Sequence, residues 1–260
     1  MIPEAAALLG LTQGWLWAAF VVFLRIGAML SLVPAFGERS VPARVKLGLG
    51  LAFTLVVLPS VAPDLPPLPR DLWPALATCA PEVVTGLFFG MMLRLFVMAL
   101  QVAGAVAAQS TSLSQIFGAT VGVDPQPAIG NVLVVAGLAL AALMGLHVRL
   151  AAYMIEGYAL VGAGEIIGAG TLVEAGLGQI AASFALGFSL AAPFVVASLI
   201  YNVTLGVINR AMPQLMVAFV GAPAITAGGL ALLALSAGAS LGVWHDALAR
   251  FLAAPFADLP

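Results

Sequence analysis

LWPALATCAPEVVTGLFFGMMLRLFVMALQVAGAVAA, residues 72–108, decides what kind of molecule this is. The run holds two charged side chains, Glu82 and Arg94. An unbroken helix over it would measure about 55 Å at ~1.5 Å per residue, against a hydrocarbon core of about 30 Å. It is therefore too long for a perpendicular span. A break near Pro81 would shorten it; alternatively the helix continues beyond the bilayer into a protein assembly. Glu82 and Arg94, both penalised by bare lipid, favour the second.

The rest of the chain is of the same kind. Of 260 residues, 63% are hydrophobic and 8% charged, with a mean hydropathy of +1.15. A soluble domain carries about 25% charged residues, so an all-α integral membrane protein is expected. Further apolar runs at 13–33, 43–61, 127–162, 171–203 and 217–253 bring the count to about six long helical segments, partly kinked and arranged as hairpins. The linker APDLPPLPR, residues 62–70, favours an extended polyproline conformation. Pro193 is expected to kink the fifth segment. MIPEAAALLG lacks the basic region of a cleavable signal, which predicts that the first segment remains as a transmembrane helix.

Charge excludes some functions and suggests an orientation. The formal net charge of -2 and nine basic residues leave no surface for a nucleic acid backbone. Arg39, Arg44 and Lys46 follow the first segment and Arg210 the fifth, whereas Arg70 and Arg250 lie on the alternate side. By the positive-inside rule both termini are expected outside the cytoplasm. The single cysteine, Cys79, has no disulfide partner and no metal-ligand spacing around it, so a buried structural thiol is expected. Gly86 and Gly90 in GLFFG, Gly164 and Gly168 in GEIIG, and Gly238 and Gly242 in GASLG have the spacing that lets helix backbones approach closely, most simply within the chain.

No catalytic constellation stands out. Ser189 in GFSLA lacks the second glycine of a nucleophile elbow, and only His147 and His245 are available as bases. An intramembrane hydrolase is thus a weak alternative. A secondary transporter of a small solute or ion would use ionisable groups at membrane depth, for which Arg25, Glu82, Arg94, Arg149 and Glu156 are candidates. Arg149 and Glu156, seven residues apart with Tyr153 between them, would form a polar stripe on one helix face. For each of these groups, interfacial snorkelling or contact with another subunit is an equally good reading.

One further stretch breaks the apolar pattern: QSTSLSQIFGATVGVDPQ, residues 109–126. A loop uncharged from 109 to 123 can lie at membrane depth only if protein buries it or it lines an aqueous cavity. A pore-facing loop between helices 3 and 4 is expected. Leu113, Ile116, Phe117 and Val121 could narrow a passage by excluding water, and Gly118 and Gly122 lend backbone freedom.

Two stretches carry a resemblance. LRIGAMLSLVPAFGERSVPARVKLGLGLAFTLVVLP near the N-terminus and NVTLGVINRAMPQLMVAFVGAPAITAGGL near the C-terminus resemble the FliR family and its SctT relatives, export-gate proteins of type III secretion. The Arg-x-x-Pro-Gln element, Arg210 to Gln214, is the most specific piece. Met216 and Ala218, Gly157-Tyr158 and Gly162 depart from the family pattern. The resemblance implies a single FliR-type membrane domain with a FliP-like part over 1–162 and a FliQ-like hairpin over 171–260. It implies no catalysis and no cofactor. FliP-type, FliQ-type and FlhB-type subunits are the implied partners around a conduit for unfolded export substrates, in the bacterial inner membrane at the flagellar basal body. The implied plug is residues 109–124, including Gln109, Ser110, Leu113, Ile116, Phe117, Gly118, Val121, Gly122 and Asp124. The implied cytoplasmic turn of the hairpin holds Asn209, Arg210, Pro213 and Gln214. Arg25, Arg44, Lys46, Glu82, Arg94, Arg149 and Glu156 are then expected to contact other subunits or membrane lipid.

Overall fold

The computed structural model describes residues 2–38, 40–110, 128–212 and 217–255. Among them it contains seven α-helices and no strand: α1 Ile2–Leu30, α2 Ala43–Val61, α3 Leu72–Ser110, α4 Ala128–Leu143, α5 Leu146–Leu160, α6 Ala169–Ala211 and α7 Val217–Ala253. Five of them are long and apolar enough to cross a membrane; α4 and α5 could together supply a sixth, broken span. The all-α membrane class expected from composition is what is found.

Local sequence explains where the helices stop. After α1, Pro34 and the left-handed Ala35 (φ 67°) turn the chain, and Gly37 then passes so near Ser31 that a Cβ would sit 2.7 Å from its carbonyl oxygen. Only glycine fits there. Phe36 packs edge-on against Phe53 of α2, with ring centroids 6.1 Å apart. Beyond α2, residues 62–64 make one 3₁₀ turn and Leu65 leaves it extended (φ -80°, ψ 140°). The Trp17 indole donates to the Pro66 carbonyl at 3.2 Å, tying this proline linker to α1.

The third segment is one helix of 39 residues, continuous through Pro81, so the break considered there does not occur. At about 1.5 Å per residue it is roughly 58 Å long. α6, with 43 residues, also continues through Pro193 and reaches Ala211, past the expected end at 203. Proline removes one donor, and a long apolar helix absorbs that loss. The fourth segment, by contrast, divides at Gly145, whose φ of 82° is in the region that favours glycine.

The helices distribute into two compact units. The first comprises α1, α2, α5, the part of α3 up to Arg94 and the start of α6 up to Gln179. Its core is Val21, Val22, Ile26 and Met29 of α1, Phe89 and Leu93 of α3, and Leu150 and Tyr153 of α5. Gly86 and Gly90 let α3 lie directly on α1: a Cβ on Gly86 would meet the Arg25 carbonyl oxygen at 2.2 Å, and one on Gly90 that of Met29 at 2.6 Å. GLFFG therefore packs within the chain. GEIIG does not pack helices at all, since Gly164 (φ 79°) and Gly168 lie in the turn before α6.

The second unit contains α3 from Leu95, α4 up to Ala141, and the portions of α6 and α7 from Ile180 to Ala249. Here Gly104 of α3 and Gly130 of α4 meet backbone to backbone, a Cβ on Gly104 falling 2.1 Å from the Gly130 Cα. Trp244, fully buried, donates to the Phe96 carbonyl at 2.8 Å, and Ser183 to that of Leu95 at 2.7 Å. Each fixes one long helix against α3. The most apolar window of α7 is only 11% buried by the chain itself, against 61% for α3. Gly238 and Gly242 of GASLG face open space.

Candidate functional site

The first unit encloses a charged cluster. Arg25, in the second half of α1, is 2% exposed, and Glu82 of α3 is 0% exposed. Arg25 Nε donates to Glu82 Oε2 at 2.9 Å and Nη2 to Oε1 at 2.8 Å, a side-on pair of hydrogen bonds between guanidinium and carboxylate. The other donors point at the end of α5. Nη1 reaches the carbonyls of Val161 at 2.8 Å and, at a longer 3.4 Å, Gly157, while Nη2 reaches that of Gly162 at 3.1 Å. A guanidinium has five N–H donors, and all five are used.

Glu82 is equally saturated. Its Oε2 also accepts from the Tyr158 hydroxyl at 2.8 Å, and its Oε1 from the Gly164 amide at 2.8 Å. The guanidinium carbon sits over the Tyr158 ring, 3.8 Å from its centroid. A helix C-terminus leaves carbonyls without amide partners and carries partial negative charge, so a buried arginine both satisfies and neutralises it. The left-handed Gly164 aims its N–H at the carboxylate. The cluster thus locks α1, α3 and the α5–α6 turn together, and its polar atoms have partners without water.

Arg25 and Glu82, expected to contact other subunits or lipid, are here enclosed and matched with each other within the chain. Sequence reasoning missed Tyr158, Gly164 and the carbonyls of 161 and 162. The available signal was that a buried arginine in a charge-poor chain must find a carboxylate, and Glu82 is one of the few inside an apolar run. A second pair joins Arg94 of α3 to Glu38 of the α1–α2 loop, both partly exposed.

Other expected site residues are spread out. Arg149 and Glu156 are exposed on α5, whereas Tyr153, between them in sequence, is fully buried against Phe89 and Phe251. No continuous polar stripe forms. Arg44 is exposed in the first turn of α2, and Lys46 donates to the Gly37 carbonyl at 2.9 Å. Ser189 is exposed on α6 and, among the described residues, bonds to neither histidine. Of the plug residues, Gln109 is exposed at the end of α3. Ser110 bonds back to the Val106 carbonyl at 2.8 Å and borders a cavity of about 320 Å³ with Phe194, Tyr201 and Ile225. Leu113, Ile116, Phe117, Gly118, Val121, Gly122 and Asp124 lie outside the described residues, as do Pro213 and Gln214 of the hairpin turn. Asn209 and Arg210 are exposed in the last turn of α6. No group of three or more potential metal ligands occurs among the described residues.

Long apolar helices, a buried charge neutralised by its partner and a helix left largely uncovered define a multi-span α-helical membrane protein. Comparison with known proteins makes this specific. The family described as "Bacterial export proteins, family 1" matches residues 16–251. The chain belongs to this family. It is 32% identical over 231 residues to the flagellar biosynthetic protein FliR of Caulobacter vibrioides, covering 88% of this chain and 92% of that one. It is 29% identical to the FliR of Escherichia coli, over 85% of this chain and 84% of the other, and 26% identical to that of Bacillus subtilis, over 79% and 80%.

Proposed function

We propose that the chain is a membrane subunit of the flagellar protein-export gate, forming with FliP-type and FliQ-type subunits a conduit for unfolded export substrates, with an FlhB-type subunit in contact. The observation that carries this reading is the extent of the family match, residues 16–251, which runs through both compact units rather than one shared motif. The openness of α7 supports it, since a helix with bare glycines at 238 and 242 is shaped to receive another helix closely. The lengths of α3 and α6 also support it, because roughly 58 Å and 64 Å of helix at ~1.5 Å per residue suit an assembly that extends beyond the bilayer.

In this reading the segment 109–124 is the plug that seals the conduit at rest, the turn around Arg210 faces the cytoplasm, and the protein resides in the inner membrane at the flagellar basal body. It performs no catalysis; the driving energy comes from other parts of the machine. The test of the assembly is to purify the tagged chain from its native membrane in mild detergent and determine the mass and composition of what accompanies it. A large complex with two other small membrane proteins is expected. A monomer or homodimer in a detergent that preserves membrane complexes rejects the gate. The plug is tested separately by replacing residues 112–122 with a short flexible linker, which should raise small-ion leakage; an unchanged leak removes the sealing role.

A further inference from the structure

A groove opens in the first compact unit where the C-terminal half of α1 meets the start of α2. Phe23, Leu24, Gly27 and Ala28 of α1, Leu47 of α2 and Val83 of α3 line about 370 Å³ of space. Gly27 keeps its floor low, as a Cβ there would touch only the Phe23 ring, at 3.7 Å. Leu47 and Val83 are 53% and 36% exposed on its walls. All these groups are apolar and belong to helices long enough to cross a membrane. The polar members of the lining, Ser31 and Lys46, both lie beside the α1–α2 loop. The groove is therefore amphipathic along its length: hydrocarbon walls, with a cation at the end nearest the loop.

Among the described residues no carboxylate forms an ion pair with the charge at that end. Elsewhere in this unit Arg25 is matched with Glu82 and Arg94 with Glu38. Residues 31–50 contain three cations, Arg39, Arg44 and Lys46, and one acid, Glu38. Glu38 is already engaged by Arg94. Among the described residues Lys46 forms no ion pair, and its one hydrogen bond goes to a neutral carbonyl, that of Gly37. An ammonium group with a neutral partner, at the mouth of an apolar groove on a membrane protein, calls for an anion attached to hydrocarbon. A partner helix would fill the groove but would have to bring its own carboxylate to the same depth.

We infer that this groove binds one acyl chain of an anionic phospholipid, whose phosphate is held by Lys46. Lipid headgroups are drawn to such basic sites beside transmembrane helices, each lysine or arginine contributing about fivefold in affinity. The site does not depend on the export-gate reading, as it needs only the membrane placement of α1 and α2.

The test uses the full-length protein in whatever complex it purifies in, delipidated in detergent and titrated with phosphatidylglycerol or with phosphatidylcholine of the same acyl chains. Bound lipid is counted by native mass spectrometry. The wild type should bind the first phosphatidylglycerol about fivefold more tightly than the zwitterionic lipid. Lys46→Gln, which retains a donor for the Gly37 carbonyl, should abolish that preference while leaving the weaker binding in place. Gly27→Leu should weaken both lipids by filling the groove; Leu47→Trp does the same from the exposed facing wall if the glycine variant fails to fold. Equal affinity for the two lipids in the wild type overturns the inference, as does a preference that survives Lys46→Gln. Displacement of the lipid by millimolar inorganic phosphate would reduce the site to a headgroup contact and refute the acyl-chain half. Efficient crosslinking from position 47 to another subunit, with no lipid bound, would give the groove to a protein partner instead.

Discussion

Removing one member of the Arg25–Glu82 pair should be among the most damaging single changes available in this chain. Glu82→Gln leaves a fully buried guanidinium facing a neutral amide whose own N–H atoms must point at Arg25 and at either the Gly164 amide or the Tyr158 hydroxyl, all donors to this position in the native cluster. Breaking a buried pair in this way costs about 3–5 kcal/mol. For a chain of this size that is a fall in Tm of roughly 6–20 °C, at about 2–4 °C per kcal/mol. Arg25→Met should cost a similar amount, since it strands the carboxylate and also uncaps the carbonyls of Val161 and Gly162. The double replacement Arg25→Met with Glu82→Met removes both charges, and its cost falls to the orphaned groups. Those are the two carbonyls, the Gly164 amide and the Tyr158 hydroxyl, each worth about 1 kcal/mol. The double variant should thus lose about 4 kcal/mol rather than the sum of the singles. Exchanging the two residues should not rescue, because a carboxylate at position 25 would face the carbonyls at the end of α5. Thermal unfolding of the purified protein in mild detergent, followed by tryptophan fluorescence, measures all four. Additive single effects, or a charge exchange as stable as the wild type, would refute this account of the cluster.

Further outcomes follow from the same contacts. Tyr158→Phe keeps the ring on the guanidinium but loses the bond to Glu82, and should cost about 1 kcal/mol in the same unfolding assay; Tyr158→Leu should cost more. Gly86→Ala drives a methyl into the Arg25 carbonyl and should destabilise by about 1–3 kcal/mol or prevent accumulation in the membrane. Gly104→Ala should do the same at the contact with Gly130. Gly238→Leu meets open space, so unfolding of the chain alone should be unaffected, while co-purification of partner subunits should fall; retained partners would show that α7 is not an assembly surface.

The helices were largely legible in the sequence, because apolar run length is a direct reading of membrane depth and the prolines of residues 62–70 interrupt it clearly. What failed to show were features set by tertiary contact. The division at Gly145 falls inside a run, residues 127–162, whose composition does not change there. The continuation of α6 past 203 was hidden by polar residues, among them Asn202 and Thr204, whose side chains simply bond back to the preceding turn. The pairing of Arg25 with Glu82 was illegible as a pair, since 57 residues separate them and only the bare surface of Gly86 brings α3 near enough. Glycine spacing identified close approach at GLFFG but equally marked GEIIG, where the glycines make a turn. The same four-residue interval serves both purposes, and only the backbone angles distinguish them.

The Arg25 cluster also imposes an order on biogenesis. Its carboxylate is synthesised 57 residues after the arginine, and its last carbonyl partner, Gly162, 137 residues after. At roughly 5–20 residues per second, α1 waits about 3–11 s for its counterion and about 7–27 s for a complete cage. During that interval an unpaired arginine within a span is opposed by a cost that reaches about 3 kcal/mol at the bilayer centre. The newly made first helix is therefore expected to stay at the headgroup level, or against the insertion machinery, until Glu82 of the third helix arrives. Its settling in the membrane would then depend on a residue made later as well as on its own hydrophobicity.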